Sequence, residues 1–250
     1  MAQSTVILEW TFTPPNYFEE AIEVRRNDYV MTIADGKAEA RIDADVFDRD
    51  SSIRQAFHNG LNDRFLAAQL LTHQPYTLSK SSMVRVDPDG KRNIFLEMES
   101  IVCRVLVFAP DLILTDKDGN VVMDTRRDRI EKKKTVAELI EQHRATDSLL
   151  DSVLKSYQAS VKDPDNELVH LYEIRDALVK RFGDSGALRT KLGITRNEWS
   201  RFGQLANDEP LRQGRHRGIN AGSLRDATEG ELQEARSIAR KMVETYLRSL

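Results

Sequence analysis

A cluster of arginines around one histidine is the segment of this sequence best suited to chemistry. His216 lies among Arg212, Arg215 and Arg217, and Arg225 follows a few residues later. An imidazole titrates near pH ~6.5, and a guanidinium group can bind two phosphate oxygens at once. In RNA, a histidine can take the proton of the 2′-hydroxyl while an arginine stabilises charge on the phosphate under attack. The cluster therefore predicts a metal-independent endoribonuclease with His216, Arg212 and Arg215 as catalytic residues.

Two predicted helix starts bracket this cluster. Thr195–Glu198 and Thr228–Glu231 both follow the pattern Ser/Thr-x-x-Glu, in which two side chains cap the first backbone N–H groups of a helix. The segment between these helices, here called the Arg/His loop (residues 212–225), has no apolar periodicity and holds Gly214, Gly218 and Gly222. A long irregular segment inside a compact domain is uncommon and is more often functional or disordered, so the loop is the predicted site.

A structural hypothesis is the alternative to catalysis for the arginines and the histidine of this loop. In it, the loop arginines pair with helix C-terminal carbonyls and with carboxylates close by in sequence, namely Asp208, Glu209 and Asp226. His216 is then a structural hydrogen-bond donor. Convergence of the arginines and His216 on one cleft would favour catalysis, whereas separate ion pairs would favour the structural hypothesis.

The composition argues against several other function classes. The 250 residues are 40 % hydrophobic and 31 % charged, with no glycine motif for phosphates and no His or Cys spacing typical of metal sites. We therefore expect no cofactor and no metal. The single cysteine, Cys103, lies in an apolar run and is expected to be a core residue. Because one cysteine cannot form an internal disulfide, we expect the protein in the reducing cytoplasm. No apolar run is long enough to span a membrane.

Charge divides the chain into two parts. Residues 1–124 carry 13 Lys and Arg against 20 Asp and Glu, a net charge of −7, whereas residues 125–250 carry 24 against 20, a net charge of +4. This asymmetry predicts an acidic domain over residues 1–124 and a basic one over residues 125–250. Only the second is suited to a polyanion such as RNA.

The apolar periodicity also changes near residue 124. The first part has period two, with one helix whose apolar residues recur every four positions from Ile53. Hairpin turns are predicted at Asp35-Gly36 and Asp118-Gly119. The predicted strands are 5–12, 29–33, 38–42, 76–86, 93–98, 101–108, 112–115 and 120–123.

The second part has helical periodicity. Apolar positions predict one long helix over residues 136–157, a second over 166–182 and a short one that ends at Leu192-Gly193. Two more helices begin at the capping boxes. We therefore predict an α+β fold, with a β-rich antiparallel N-terminal module containing one helix, then a C-terminal bundle of about five helices.

The helical part resembles the HEPN superfamily of prokaryotic defence and toxin ribonucleases. The resemblance rests on an Asn…Arg…His segment before the last helix, here Asn207, Arg212 and His216, and on helix 168–178 (LVHLYEIRDAL). The order of a β-rich and then a helical module is similar to that of ApeA-like antiphage proteins, and the chain also looks like MauJ-type proteins. The resemblance implies RNA as the substrate, a role in antiphage defence, and a homodimer in which both subunits face one cleft.

The family motif has a longer spacing between its arginine and histidine than the three residues that separate Arg212 from His216. A relative that binds RNA without cleaving it is therefore a further hypothesis. The single histidine of the loop favours a homodimer, because a second copy across a two-fold axis would supply another proton-transfer group. The predicted RNA-binding residues are Arg196, Arg201, Asn207 and Arg217.

Residues 187–201 support a different nucleic-acid hypothesis. A short helix, a glycine turn at Gly193 and a second helix follow the order of helix-turn-helix DNA-binding proteins. The residues that would face the major groove are Arg196, Asn197, Ser200 and Arg201. Helices joined by a glycine turn also occur in plain bundles, so a non-catalytic protein-interaction module is the third hypothesis.

Overall fold

The computed structural model describes residues 4–50, 52–95, 111–219 and 222–250. It has the predicted α+β fold. An antiparallel sheet and the helices packed on it come first in the chain, and a helical region follows. The chain forms two compact units. The first unit comprises Met1–Phe65 and Tyr76–Lys132, and the second comprises Leu66–Pro75 and Lys133–Leu250.

The first unit is built on one antiparallel sheet with strand order β2-β3-β4-β1-β6-β7, and β5 pairs with the end of β1. Strand β1 pairs with β4 on one side and with β6 on the other. Its residues Val6 and Leu8 are fully buried, so β1 lies at the centre of the sheet. The strands are β1 (Thr5–Thr13), β2 (Ile22–Arg25), β3 (Tyr29–Ala34), β4 (Lys37–Asp43), β5 (Thr77–Leu78), β6 (Ser82–Val86) and β7 (Arg92–Phe95).

Both predicted Asp-Gly hairpins are confirmed. Asp35-Gly36 joins β3 to β4, and Gly36 has a positive φ of 82° that favours glycine. Asp118-Gly119 lies between β8 (Ile113–Thr115) and β9 (Val121–Asp124), which form a separate two-stranded sheet.

The prediction of one strand over residues 76–86 is wrong, because residues 79–81 interrupt it between β5 and β6. There the Thr11 N–H donates to the Ser79 hydroxyl at 2.9 Å, so a side chain replaces a backbone partner. The predicted strand 101–108, the end of strand 93–98 and Cys103 lie outside the described residues.

Two helices follow the first four strands. Helix α1 (Ala44–Arg49), which was not predicted, is capped by the Asp43 side chain. Helix α2 (Ile53–Thr72) is the predicted helix, and its Phe65 ring contacts the ring of Phe12 at a centroid distance of 5.1 Å. This contact joins the helix to the sheet within the first unit.

The two units divide within helices rather than at residue 124. The predicted boundary coincides with the start of α3 (Thr125–His143), but the units separate after Lys132. The last part of α2 belongs to the helical unit because Leu66, Ala67 and Leu70 are members of its apolar core.

The helical unit contains the ends of α2 and α3 and five further α-helices. The prediction of one helix over residues 136–157 is wrong, because α3 ends at His143 and the next helix starts at Ser148. The Asp147 carboxylate accepts a hydrogen bond from the Leu150 N–H at 2.7 Å and so starts a new helix. The helices are α4 (Ser148–Lys162), α5 (Glu167–Phe182), α6 (Ser185–Leu192), α7 (Arg196–Gly203) and α8 (Glu229–Arg248).

Both predicted capping boxes are confirmed. At the start of α7, the Glu198 carboxylate accepts from the Thr195 N–H at 2.7 Å, and the Thr195 hydroxyl accepts from the Glu198 N–H at 3.2 Å. Thr228 and Glu231 make the same pair of bonds at the start of α8. The helices on either side of the Arg/His loop therefore have locally determined starts.

Candidate nucleic-acid interface

The Arg/His loop is closed by backbone hydrogen bonds. The Arg212 N–H donates to the Arg225 carbonyl and the Arg225 N–H donates to the Pro210 carbonyl, each at 2.9 Å. The Arg215 N–H donates to the Ala206 carbonyl at 2.8 Å. Ala206 lies in the π-helical turn Gln204–Asp208 that continues α7, so the first half of the loop is fixed to the end of that helix.

Gly214 permits this close approach. A Cβ atom at position 214 would lie 3.2 Å from the carbonyl oxygens of both Ala206 and Leu211, and the glycine is buried. Its N–H donates to the Leu211 carbonyl at 3.0 Å. The loop therefore packs against the π-helical turn through its backbone, and a Cβ atom at position 214 would have to push these carbonyl groups aside.

The predicted catalytic arginines pair with different acidic residues. Arg212 Nε lies 3.9 Å from Asp226 Oδ1, and the Arg212 side chain is 65 % exposed. Arg215 Nη1 lies 3.3 Å from Oδ2 of Asp176, which is on α5. These separate ion pairs are the arrangement that favours the structural hypothesis. The pair of Arg212 with Asp226 is one that this hypothesis expects, whereas Asp176 is remote in sequence from the loop.

Arg217 and Arg225 hold the loop to its surroundings. Arg217 Nε donates to the Gly214 carbonyl at 2.9 Å, and Arg217 Nη2 donates to the Asp165 carbonyl at 3.1 Å. Arg225 forms a bidentate ion pair with Glu231, with distances of 2.7 and 2.8 Å. This ion pair and the capping bonds lower the pKa of Glu231 to about 2. Both arginines thus anchor the loop in this structure.

The His216 side chain is exposed. Its backbone carbonyl accepts from the Ile219 N–H at 3.2 Å, while its imidazole has no hydrogen-bond or ion-pair partner among the described residues. Catalytic hydrogen bonds are often formed only when substrate binds. The imidazole is therefore accessible to a ligand, and no described side chain orients it.

The three remaining predicted RNA-binding residues have different environments. Arg201 donates to Glu234 at 2.9 Å and to Gln204 at 3.1 Å, so its guanidinium is engaged within the unit. Arg196 is exposed at the start of α7 and has no ion pair among the described residues. Asn207 lies in the π-helical turn, and its Oδ1 atom is buried without a hydrogen-bond partner in the described part of the chain. Turns of this type occur frequently at functional sites.

Sequence reasoning missed three residues that form a cluster with the predicted Arg215. We call it the Arg/aromatic cluster, and it consists of Tyr172 and Arg175 of α5, Trp199 of α7, and Arg215. The guanidinium carbon of Arg175 lies 3.7 Å from the centroid of the Trp199 ring system and 4.8 Å from that of Tyr172. Tyr172 and Arg175 are three positions apart and share a helix face, which is the only local signal for this pairing.

Two guanidinium groups share the ring of Tyr172. The guanidinium carbon of Arg215 lies 4.4 Å from the ring centroid, compared with 4.8 Å for Arg175. Burial lowers the pKa of Arg175, and the positive charge of Arg215 acts in the same direction, while Tyr172, Asp176 and Asp208 oppose it. The cluster therefore places two positive charges against one buried tyrosine ring.

Gly203 makes room for Arg175. A Cβ atom at position 203 would lie 2.8 Å from Arg175 Nη1, so any side chain there would displace the guanidinium. Arg175 Nη1 also donates to the Trp199 carbonyl at 3.3 Å. Helix α7 thus positions Arg175 through one glycine and one carbonyl group.

Within the described residues, no group of three or more His, Cys, Asp or Glu side chains could hold a metal ion. None of the helices in the described ranges is long and apolar enough to cross a membrane. Comparison of the chain with protein-family models, with curated proteins and with solved structures finds no match.

Proposed function

We propose that the helical unit acts on RNA as a HEPN-like, metal-independent endoribonuclease. The observation that carries this proposal is the place of Arg215, which lies next to the exposed His216 in sequence and shares the Tyr172 ring with Arg175. Two neighbouring guanidinium groups suit the phosphates of an RNA backbone. The role in antiphage defence follows from the family resemblance.

Each predicted catalytic residue has a defined part in this proposal. His216 takes the proton of the 2′-hydroxyl, and Arg215 stabilises the charge that develops on the phosphate oxygens. Arg212 and Asp226 are 65 % and 74 % exposed and lie 3.9 Å apart, so their ion pair is weak and a phosphate can displace it. The 2′-oxygen attacks the adjacent phosphorus and the bond to the 5′-oxygen breaks, so in a homodimer a second His216 would be the acid that protonates the leaving 5′-oxygen.

The first test is cleavage of single-stranded RNA by the full-length protein in EDTA. We expect His216→Ala to lower the cleavage rate by about 10²–10⁴-fold, because one positioned proton-transfer group is lost. The melting temperature should not change, since the imidazole is exposed and makes no bond to the described residues. His143→Ala, which removes another histidine of the helical unit, is the matched control and should cleave RNA normally.

Two results would contradict the proposal. One is wild-type RNA cleavage by His216→Ala, and the other is the absence of cleavage by the wild-type chain. RNA binding that weakens steeply with salt, without cleavage, would indicate a non-catalytic relative. Tight duplex binding that is lost in Arg196→Ala would favour the DNA hypothesis, and no binding of either polymer at low salt would leave the protein-interaction hypothesis.

A further inference from the structure

Arg175 is an arginine with unused hydrogen-bonding capacity. A guanidinium group has five N–H donors, and in the described part of the chain the Arg175 side chain has one acceptor, the Trp199 carbonyl. No described carboxylate lies within ion-pair distance of it. The Arg175 residue is half-buried rather than fully buried, so part of its side chain is open to solvent. The Arg175 guanidinium therefore has no anionic partner within ion-pair distance among the described residues.

The surroundings of Arg175 fix the guanidinium in place. Trp199 covers it at 3.7 Å, Tyr172 lies at 4.8 Å, and Gly203 provides the space for Nη1. A planar guanidinium that stacks on aromatic rings loses little further freedom when it binds an anion. Arg175 is thus preorganised, in contrast to an ordinary surface arginine.

Arg215 supplies a second guanidinium on the same ring of Tyr172. Its carboxylate partner Asp176 is 55 % exposed, and Arg215 itself is 37 % exposed, with 3.3 Å between the charged atoms. Exposed ion pairs of this kind contribute little to stability. A phosphate can therefore exchange with Asp176 at Arg215 at little cost.

We propose that Arg175 and Arg215 form a phosphate-binding site at the ring of Tyr172, and that Asp176 competes with the phosphate for Arg215. This inference rests on the proposed action on RNA, because it assigns the phosphate contacts of that site. Two guanidinium groups bind phosphate through charge-assisted, bidentate hydrogen bonds. Asp176 keeps Arg215 ordered when no phosphate is bound and weakens the affinity of the site.

The test is calorimetric titration of the full-length protein with inorganic phosphate at low ionic strength. We expect saturable binding with a dissociation constant on the order of 1 mM. Arg175→Ala should weaken binding about 10- to 100-fold, as expected for loss of hydrogen bonds to a charged group. Arg175→Lys keeps the charge but loses the planar donor fork, and it should also weaken binding. The lysine variant tests the site even if the alanine variant does not fold.

The Asp176→Asn substitution should change phosphate affinity in the opposite direction. Removal of the competing carboxylate should tighten phosphate binding about 2- to 5-fold, the range expected for an exposed ion pair. Arg248→Ala and Asp151→Asn change the charge of the helical unit by the same amounts at other positions and should leave the affinity unchanged. A gain of affinity is a result that a merely structural role of Asp176 does not produce.

Three results would overturn this inference: no saturable phosphate binding by the wild-type protein, wild-type affinity in Arg175→Lys, or unchanged affinity in Asp176→Asn. Competition with a short single-stranded RNA separates the sources of the phosphate group. Displacement of RNA by phosphate assigns the site to the RNA backbone, and phosphate binding without displacement assigns it to free or terminal phosphate. Phosphate binding in a protein that cleaves no RNA would refute the proposed function alone, and cleavage without phosphate binding would refute this inference alone.

Discussion

The ion pair between Arg225 and Glu231 should make the stability of the helical unit depend on pH. It joins the end of the Arg/His loop to the first turn of α8 through two bonds of 2.7 and 2.8 Å. Glu231 also accepts from the Thr228 N–H at 2.8 Å. We predict that Glu231→Gln lowers the free energy of unfolding at pH 7, because glutamine keeps the shape of the capping box but not the charge.

The magnitude follows from the pKa of Glu231. The hydrogen bonds from Arg225 and from the Thr228 backbone lower it from 4.5 to about 2, and this difference corresponds to about 3 kcal/mol at ~1.4 kcal/mol per pH unit. Glu231 is 14 % exposed and Arg225 is 42 % exposed, so solvent screening reduces the expected loss to about 1–2 kcal/mol.

The pH dependence gives the sharper test. Because the carboxyl pKa is lower in the folded chain than in the unfolded chain, folding favours the ionised form. The stabilisation is complete above about pH 4.5 and is lost as the pH falls toward about 2. The difference between wild type and Glu231→Gln should therefore be constant from pH 7 to pH 5 and should shrink below pH ~4.5.

Urea denaturation at pH 7, 5, 4 and 3, followed by circular dichroism, measures this difference. Glu138→Gln is the matched control, because Glu138 is exposed and has no hydrogen bond or ion pair among the described residues. It should change the free energy of unfolding by less than ~0.5 kcal/mol. An equal difference at pH 3 and pH 7, or no loss at pH 7, would refute the reasoning.

Two further predictions concern the helical unit. Gly203→Ala places a Cβ atom 2.8 Å from Arg175 Nη1, so phosphate affinity in the calorimetric titration should fall as it does in Arg175→Lys; an unchanged affinity would show that the guanidinium need not be held there. Glu167→Ala leaves Arg236 without its buried bidentate partner, whose side chain is 2 % exposed, and should lower the free energy of unfolding by about 3–5 kcal/mol. Glu229→Ala removes the 68 % exposed partner of the same arginine and should lower the free energy of unfolding by less than ~1 kcal/mol. If thermal denaturation shows equal destabilisation by the two variants, the argument from the burial of Glu167 is wrong.

The features that the sequence predicted correctly depend on residues close together in the chain. Each capping box needs only a threonine and a glutamate three positions apart, and each hairpin needs only an Asp-Gly pair between strand-forming residues. The α+β class follows from the change of apolar periodicity near residue 124. These patterns are decided by hydrogen bonds within one turn and by which faces are apolar, and both can be read without knowing the fold.

The Arg/aromatic cluster could not be predicted in this way. Arg215 meets Tyr172 because α5 packs in the bundle and the loop folds back onto the π-helical turn, and no local pattern specifies that contact. The break between α3 and α4 was missed because their apolar positions continue one period, although Asp147 is a local N-cap residue. Side chains remote in sequence are brought together only by packing, so the tertiary structure alone decides that Arg175 lies against Trp199 and has no carboxylate partner among the described residues.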